Sequence, residues 1–179
     1  MKTIKITLLF SSFFLFVNFN QGRAQQLSAY IEITGAKTEF CTNQTFALAG
    51  VANDGTGTYV EHHWIDNSGI IYKTENNVAI IKAKEAGTYI ITYQVKDDAG
   101  NFASTNISFK INQSPSAEIV DEEGRIKLIN LTGENPFKFS WYENNKKIEL
   151  DNVSYSKNTT YRVVIVDKNG CSFSTSKVF

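Results

Sequence analysis

Residues 87–101 read Gly-Thr-Tyr-Ile-Ile-Thr-Tyr-Gln-Val-Lys-Asp-Asp-Ala-Gly-Asn, and the alternation inside them decides the fold class. Tyr89, Ile91, Tyr93 and Val95 fall on one parity, while Thr88, Thr92, Gln94 and Lys96 fall on the other. Successive side chains of a strand point to opposite faces, so this is a strand with a dry side and a wet side. Tyr89 and Tyr93 share the dry side with Ile91, which predicts inward rings and argues against a sugar-binding platform there. Asp97-Asp98-Ala99-Gly100 then supplies residues that turn a chain. A related stretch lies downstream: Thr160-Tyr161 opens an apolar run to Asp167, and Asn169-Gly170-Cys171 stands where Ala99-Gly100-Asn101 stands in the first. Val60-Glu-His-His-Trp64 matches Phe137-Lys-Phe-Ser-Trp141 in the same way. Internal similarity of this kind signals tandem modules.

Working outward, residues 25–179 contain 16 Ile and 10 Val against 5 Leu. Branching at Cβ suits a pleated sheet and costs rotamer freedom in a helix. The first set of predicted strands is Tyr30–Ile33, Thr45–Leu48, Val60–Ile65, Ile70–Tyr72, Val78–Lys82, Thr88–Val95 and Asn106–Ile111, with Asn, Asp and Gly clusters between them. Asn112-Gln113-Ser114-Pro115-Ser116 interrupts the pattern and reads as a linker. The second set is Ala117–Val120, Ile126–Leu131, Phe137–Tyr142, Lys147–Leu150, Val153–Tyr155, Tyr161–Val166 and Ser172–Val178. The expectation is all-β: two tandem Ig-like sandwiches, 25–112 and 113–179, the second smaller.

Residues 1–24 read as a secretory signal peptide. Lys2 and Lys5 precede an apolar run from Ile6 to Phe19, and Gly22-Arg23-Ala24 places small residues at a cleavage site. Over all 179 residues, eighteen Lys and Arg balance eighteen Asp and Glu. Without Lys2, Lys5 and Arg23 the chain carries 15 basic against 18 acidic residues. That balance argues against a general nucleic-acid binder and against a polybasic membrane-surface protein. The expected location is exported: periplasm, cell surface or extracellular medium. Two cysteines exclude a disulfide-dense miniprotein and a four-cysteine zinc site.

Trp64-Ile-Asp66-Asn-Ser-Gly69, with the 87–101 stretch, resembles a PKD or related Ig-like module. Thr160–Cys171 is similar to the ends of Ig-like repeats in exported bacterial surface proteins. The resemblance spans about residues 27–179 and implies a module used for binding or spacing, without cofactor. Such repeats often pair an early Cys with one just after the last Gly. Here the first half carries Cys41 but Asn101 at the late position, and the second carries Cys171 with no early partner. In a seven-stranded sandwich, Cys41 opening the second strand would lie at the pole facing the second module, and Cys171 opening the last strand would face back. An inter-module bridge follows; two free thiols and intermolecular bridges are the alternatives.

Other candidate chemistry is sparse. His62 and His63 are adjacent on a strand and point oppositely, so one packs near Trp64 and the two cannot chelate one metal. Asp66 and Asp97-Asp98 are calcium candidates, but read more simply as turn-forming acids. Asp121-Glu122-Glu123-Gly124 reads as a solvated hairpin tip. Asn43, Asn106, Asn130, Asn152 and Asn158 stand in Asn-x-Ser/Thr triplets, which suggest glycans in a eukaryotic secreted protein and are expected by chance in an Asn-rich bacterial one. No nucleophile elbow, phosphate loop, H-E-x-x-H or C-x-x-C occurs. Trp64, Trp141, Tyr89 and Tyr161 are the expected core aromatics. The expected function is non-enzymatic: adhesion, spacing or assembly at the cell envelope, with a protein or polysaccharide partner and no metal or cofactor. A carbohydrate-binding module is the alternative, recognisable by an exposed aromatic stripe on one sheet face.

Overall fold

The computed structural model describes residues 25–149 and 155–179. The expected signal peptide, the Asn152 triplet and most of the Val153–Tyr155 strand lie outside those residues. The described chain is all-β, two Ig-like sandwiches in tandem.

The first sandwich is built from β1 (Ser28–Ile33), β2 (Glu39–Cys41), β3 (Phe46–Asn53), β4 (Tyr59–Ile65), β5 (Ile71–Glu75), β6 (Val78–Ile81), β7 (Gly87–Asp97) and β8 (Phe102–Asn112). One sheet has the order β1-β3-β6-β5, and the facing sheet has β2-β8-β7-β4. Each predicted strand of this half has its counterpart within a few residues. The eighth, β2, was not expected. A three-residue strand carries too little alternation to be read, and its partner β8 lies some seventy residues away. It forms because the 3-10 turn Thr34–Ala36, with Gly35 at φ 79°, lifts the chain off the first sheet. The chain then runs parallel to β8, pairing Cys41 with Asn112.

The core between these sheets alternates as the sequence prescribes. Leu48, Ile81, Ile91 and Tyr93 are fully buried, and Phe40, Phe46 and Phe109 join them. Phe40 stacks on Phe46, and Phe109 meets both edge-on. Tyr89 and Trp64 pack half-buried against this cluster. Trp64 also leans on Tyr93, with ring centres 4.8 Å apart. Its indole N–H is buried without a hydrogen-bond partner among the described residues.

The second sandwich follows with β9 (Ser116–Glu122), β10 (Arg125–Thr132), β11 (Lys138–Glu143), β12 (Lys146–Ile148), β13 (Thr160–Val166) and β14 (Ser172–Val178). β9 and β10 form a hairpin over the sheet β12-β11-β13-β14. Ala117 and Ile119 of the hairpin meet Val163 and Ile165 of the sheet, with Trp141, Phe173 and Phe179 packed half-buried around them. Tyr161 is 1% exposed, and its hydroxyl donates to Glu143 at 2.8 Å.

Candidate functional site

The repeated hairpins organise the two sandwiches alike. In the first, Asp97 ends β7 and its carboxylate accepts the N–H groups of Thr56 (3.1 Å) and Asn101 (2.8 Å) and the Asn101 side-chain amide (2.8 Å). Burial pushes the Asp97 pKa up, but hydrogen bonds from Asn101, Thr56 and Ala99 outweigh it and hold the carboxyl below its ordinary value. In the second, Asp167 accepts the N–H groups of Asn169 (3.0 Å) and Cys171 (2.9 Å) through Oδ1. Cys171 occupies the place of Asn101 and offers no side-chain amide. Asp167 Oδ2 is left buried without a partner among the described residues.

The sulfur of Cys171 instead crosses to the first sandwich. Cys41 and Cys171 form a disulfide with Cα atoms 5.6 Å apart and 130 positions between them. Cys171 immediately precedes the last strand, β14, and is fully buried. Cys41 reaches the junction by a different route from the expected one. It closes β2 rather than opening the second long strand, and its pairing with β8 sets it beside the exit of the first sandwich.

Further bonds tie the end of β8 and the connecting segment to β2 and the turn after it. Thr42 donates its N–H to the Asn112 carbonyl at 2.9 Å. Ser114 donates its N–H to Thr42 Oγ1 (3.0 Å) and its hydroxyl to the Thr42 carbonyl (3.1 Å). The Asn112 amide donates to Glu39 at 2.9 Å. Pro115 is buried, and its Cβ lies 3.0 Å from where a Cβ on Gly133 would stand. Gly133 has φ 117°, so both backbone and space demand glycine there. The polar stretch read as a linker is therefore a pinned segment. Beside it a cleft of about 700 Å³ opens, with β7 and β8 on one wall and the Gly133-Glu134 loop and the β13–β14 hairpin on the other.

The remaining candidates are placed as follows. His62 faces inward, its Nδ1 2.6 Å from the Tyr93 hydroxyl, and His63 faces outward. Burial, with Tyr59 nearby, raises the Tyr93 pKa. The Asp66 carboxylate accepts the N–H groups of Ser68, Ile70 and Ile71, which closes the loop after β4. Asp98 accepts the Thr56 hydroxyl. These acids hold turns together; among the described residues no cluster of three metal-ligating side chains occurs. Asp121 accepts the Gly124 N–H and the Tyr155 hydroxyl, so the acidic tip is partly tied down. The exposed aromatics Tyr30, Tyr72, Phe102 and Phe139 lie on β1, β5, β8 and β11, and no two are on adjacent strands. Sequence reading missed the cleft, because it exists only once the two sandwiches are oriented.

No protein-family model matches the chain, and no curated protein matches it. Solved structures resemble it in fold. The fibronectin(III)-like modules of Clostridium thermocellum CbhA share 9% identity at a TM-score of 0.41, covering 82% of this chain and 91% of that one. Carbohydrate-binding modules of a β-sandwich superfamily share 16% at 0.44, covering 79% and 55%. A C-terminal fragment of intimin, in complex with the intimin-binding domain of its translocated receptor, shares 13% at 0.45, covering 83% and 64%. These likenesses are to Ig-like, fibronectin-like and binding modules, and they extend to the β-sandwich fold alone.

Proposed function

We propose that this chain is an exported, non-enzymatic two-module protein that holds a partner or spaces components at the cell envelope. The modules are 25–112 and 113–179, behind a cleaved signal peptide at 1–24. The observation that carries this reading is the fastened junction: the Cys41–Cys171 bridge, the Thr42–Ser114 bonds and buried Pro115. Tandem domains move relative to one another by default unless something fixes them. A fixed angle serves a rigid spacer or a preformed binding surface, and a disulfide suits an oxidising compartment. The scattered exposed aromatics give no support to a carbohydrate platform on a sheet face. The test is affinity capture from envelope fractions with the disulfide-bonded protein. Recovery of one stoichiometric protein, or of a defined cell-wall polysaccharide, supports the reading. Turnover of a captured partner, or recovery of nothing above a denatured control, refutes it.

A further inference from the structure

We propose that the cleft between the two sandwiches binds an acidic polysaccharide, a chain of hydroxyl-rich sugar rings bearing carboxylates. This rests on the binding-module reading and names the ligand class. The cleft is concave, lies at a junction and is preformed by the disulfide, so little ordering entropy is lost when it is filled. Its volume, about 700 Å³, lies within the range of small-ligand sites.

The lining chooses among ligands. Lys110 from β8 and Lys168 from the β13–β14 hairpin stand on opposite walls. Neither is ion-paired among the described residues, whereas Lys73, Lys96 and Lys127 each have a Glu partner. Among the described residues Glu134 is the single carboxylate of the lining. Gln113, Asn169 and Thr88 contribute amides and a hydroxyl, which hydrogen-bond sugar hydroxyls in either direction. Among the described residues no aromatic ring lines the cleft, which disfavours a neutral glycan held by stacking. Ile111 is only 1% exposed, so a peptide finds no apolar pocket for an anchoring side chain. Two unpaired ammonium groups among amides leave carboxylated sugar as the best match.

The test uses the disulfide-bonded protein and calorimetric titration at low salt with hexagalacturonate, neutral maltohexaose and hexaglutamate. Hexagalacturonate is expected to bind in preference to both, and to weaken as salt screens the lysines. Lys110→Glu with Lys168→Glu should weaken binding by about tenfold or more. Lys127→Glu with Lys147→Glu, outside the cleft, makes the same change of net charge and should leave binding unchanged. Equal binding of the neutral hexamer, equal loss in the control pair, tighter binding of hexaglutamate, or no binding at millimolar concentration would each overturn the proposal. Shortening of hexagalacturonate during the titration would overturn the non-enzymatic reading instead.

Discussion

Gly50 should tolerate no side chain while Tyr93 is in place, and should tolerate one readily when it is not. Gly50 lies in β3, facing inward, with its N–H donating to the Asn77 carbonyl at 2.7 Å. A Cβ built there would run into the Tyr93 ring carbons. The ring has nowhere to go. It is fully buried, its hydroxyl is 2.6 Å from His62, and Trp64 packs against it. Overpacking a filled core typically costs ~1–3 kcal/mol, and a ring pinned on both sides places Gly50→Ala near ~3 kcal/mol. Tyr93→Val should itself cost ~3 kcal/mol by leaving a cavity. In that background Gly50→Ala meets open space and restricts only the unfolded chain, a gain of roughly 0.5 kcal/mol. The coupling is therefore about 3.5 kcal/mol, far above the scatter of additive pairs. Urea unfolding followed by Trp64 fluorescence, in a Trp141→Phe background, reads it directly. Gly50→Ala should lower the midpoint by ~2 M when Tyr93 is present and not at all with Val in its place. The same shift in both backgrounds would refute the steric reading.

Trp141→Ala should destabilise the second sandwich by about 2 kcal/mol, less than for a wholly buried Trp because the side chain is half-buried beside Val163 and Ile165; an unchanged melting curve would mean the ring packs on nothing. The folded pKa of Asp97 is lowered, so the stability it contributes is present above the ordinary carboxylate value and lost as pH falls through the folded one. Asp97→Asn should therefore be less stable than wild type at pH 7, with the gap narrowing as pH falls below the ordinary carboxylate value of about 4; a gap that stays constant as the pH is lowered through the acid range would contradict this. With the bridge removed by Cys41→Ser, Cys171→Asn should exceed Cys171→Ser in stability by ~1 kcal/mol, since it restores to Asp167 Oδ2 the amide donor that Asn101 gives Asp97. Calorimetric melts of the two variants check it, and equal melting temperatures would speak against a shared hairpin design.

Much of this was legible in the residues because period-two patterning is local. Ile91 and Tyr93 announce the buried face of β7 by parity alone, and the recurrence of Asp-x-x-Gly in both halves announces the shared hairpin. What was not legible depends on distant partners. β2 is too short to show alternation and exists only through its parallel pairing with β8. The expected bridge is present, but the strand invoked to place Cys41 was the wrong one; β2 carries it to the pole instead. Gly50 reads as an ordinary weak strand residue until Tyr93 is set against it. The cleft is invisible in either half alone, since Lys110 and Lys168 share a site only after the disulfide and the pinned Ser114-Pro115 segment set the angle.

That fixed angle is open to direct measurement. Spin labels carried by noncanonical residues at exposed Tyr72 and Lys127, one on each sandwich, report the distance between the two bodies by pulsed electron resonance. The disulfide-bonded protein should give one narrow distance distribution, and the Cys41→Ser, Cys171→Ser protein a broader one. A broad distribution with the bridge intact would contradict the account.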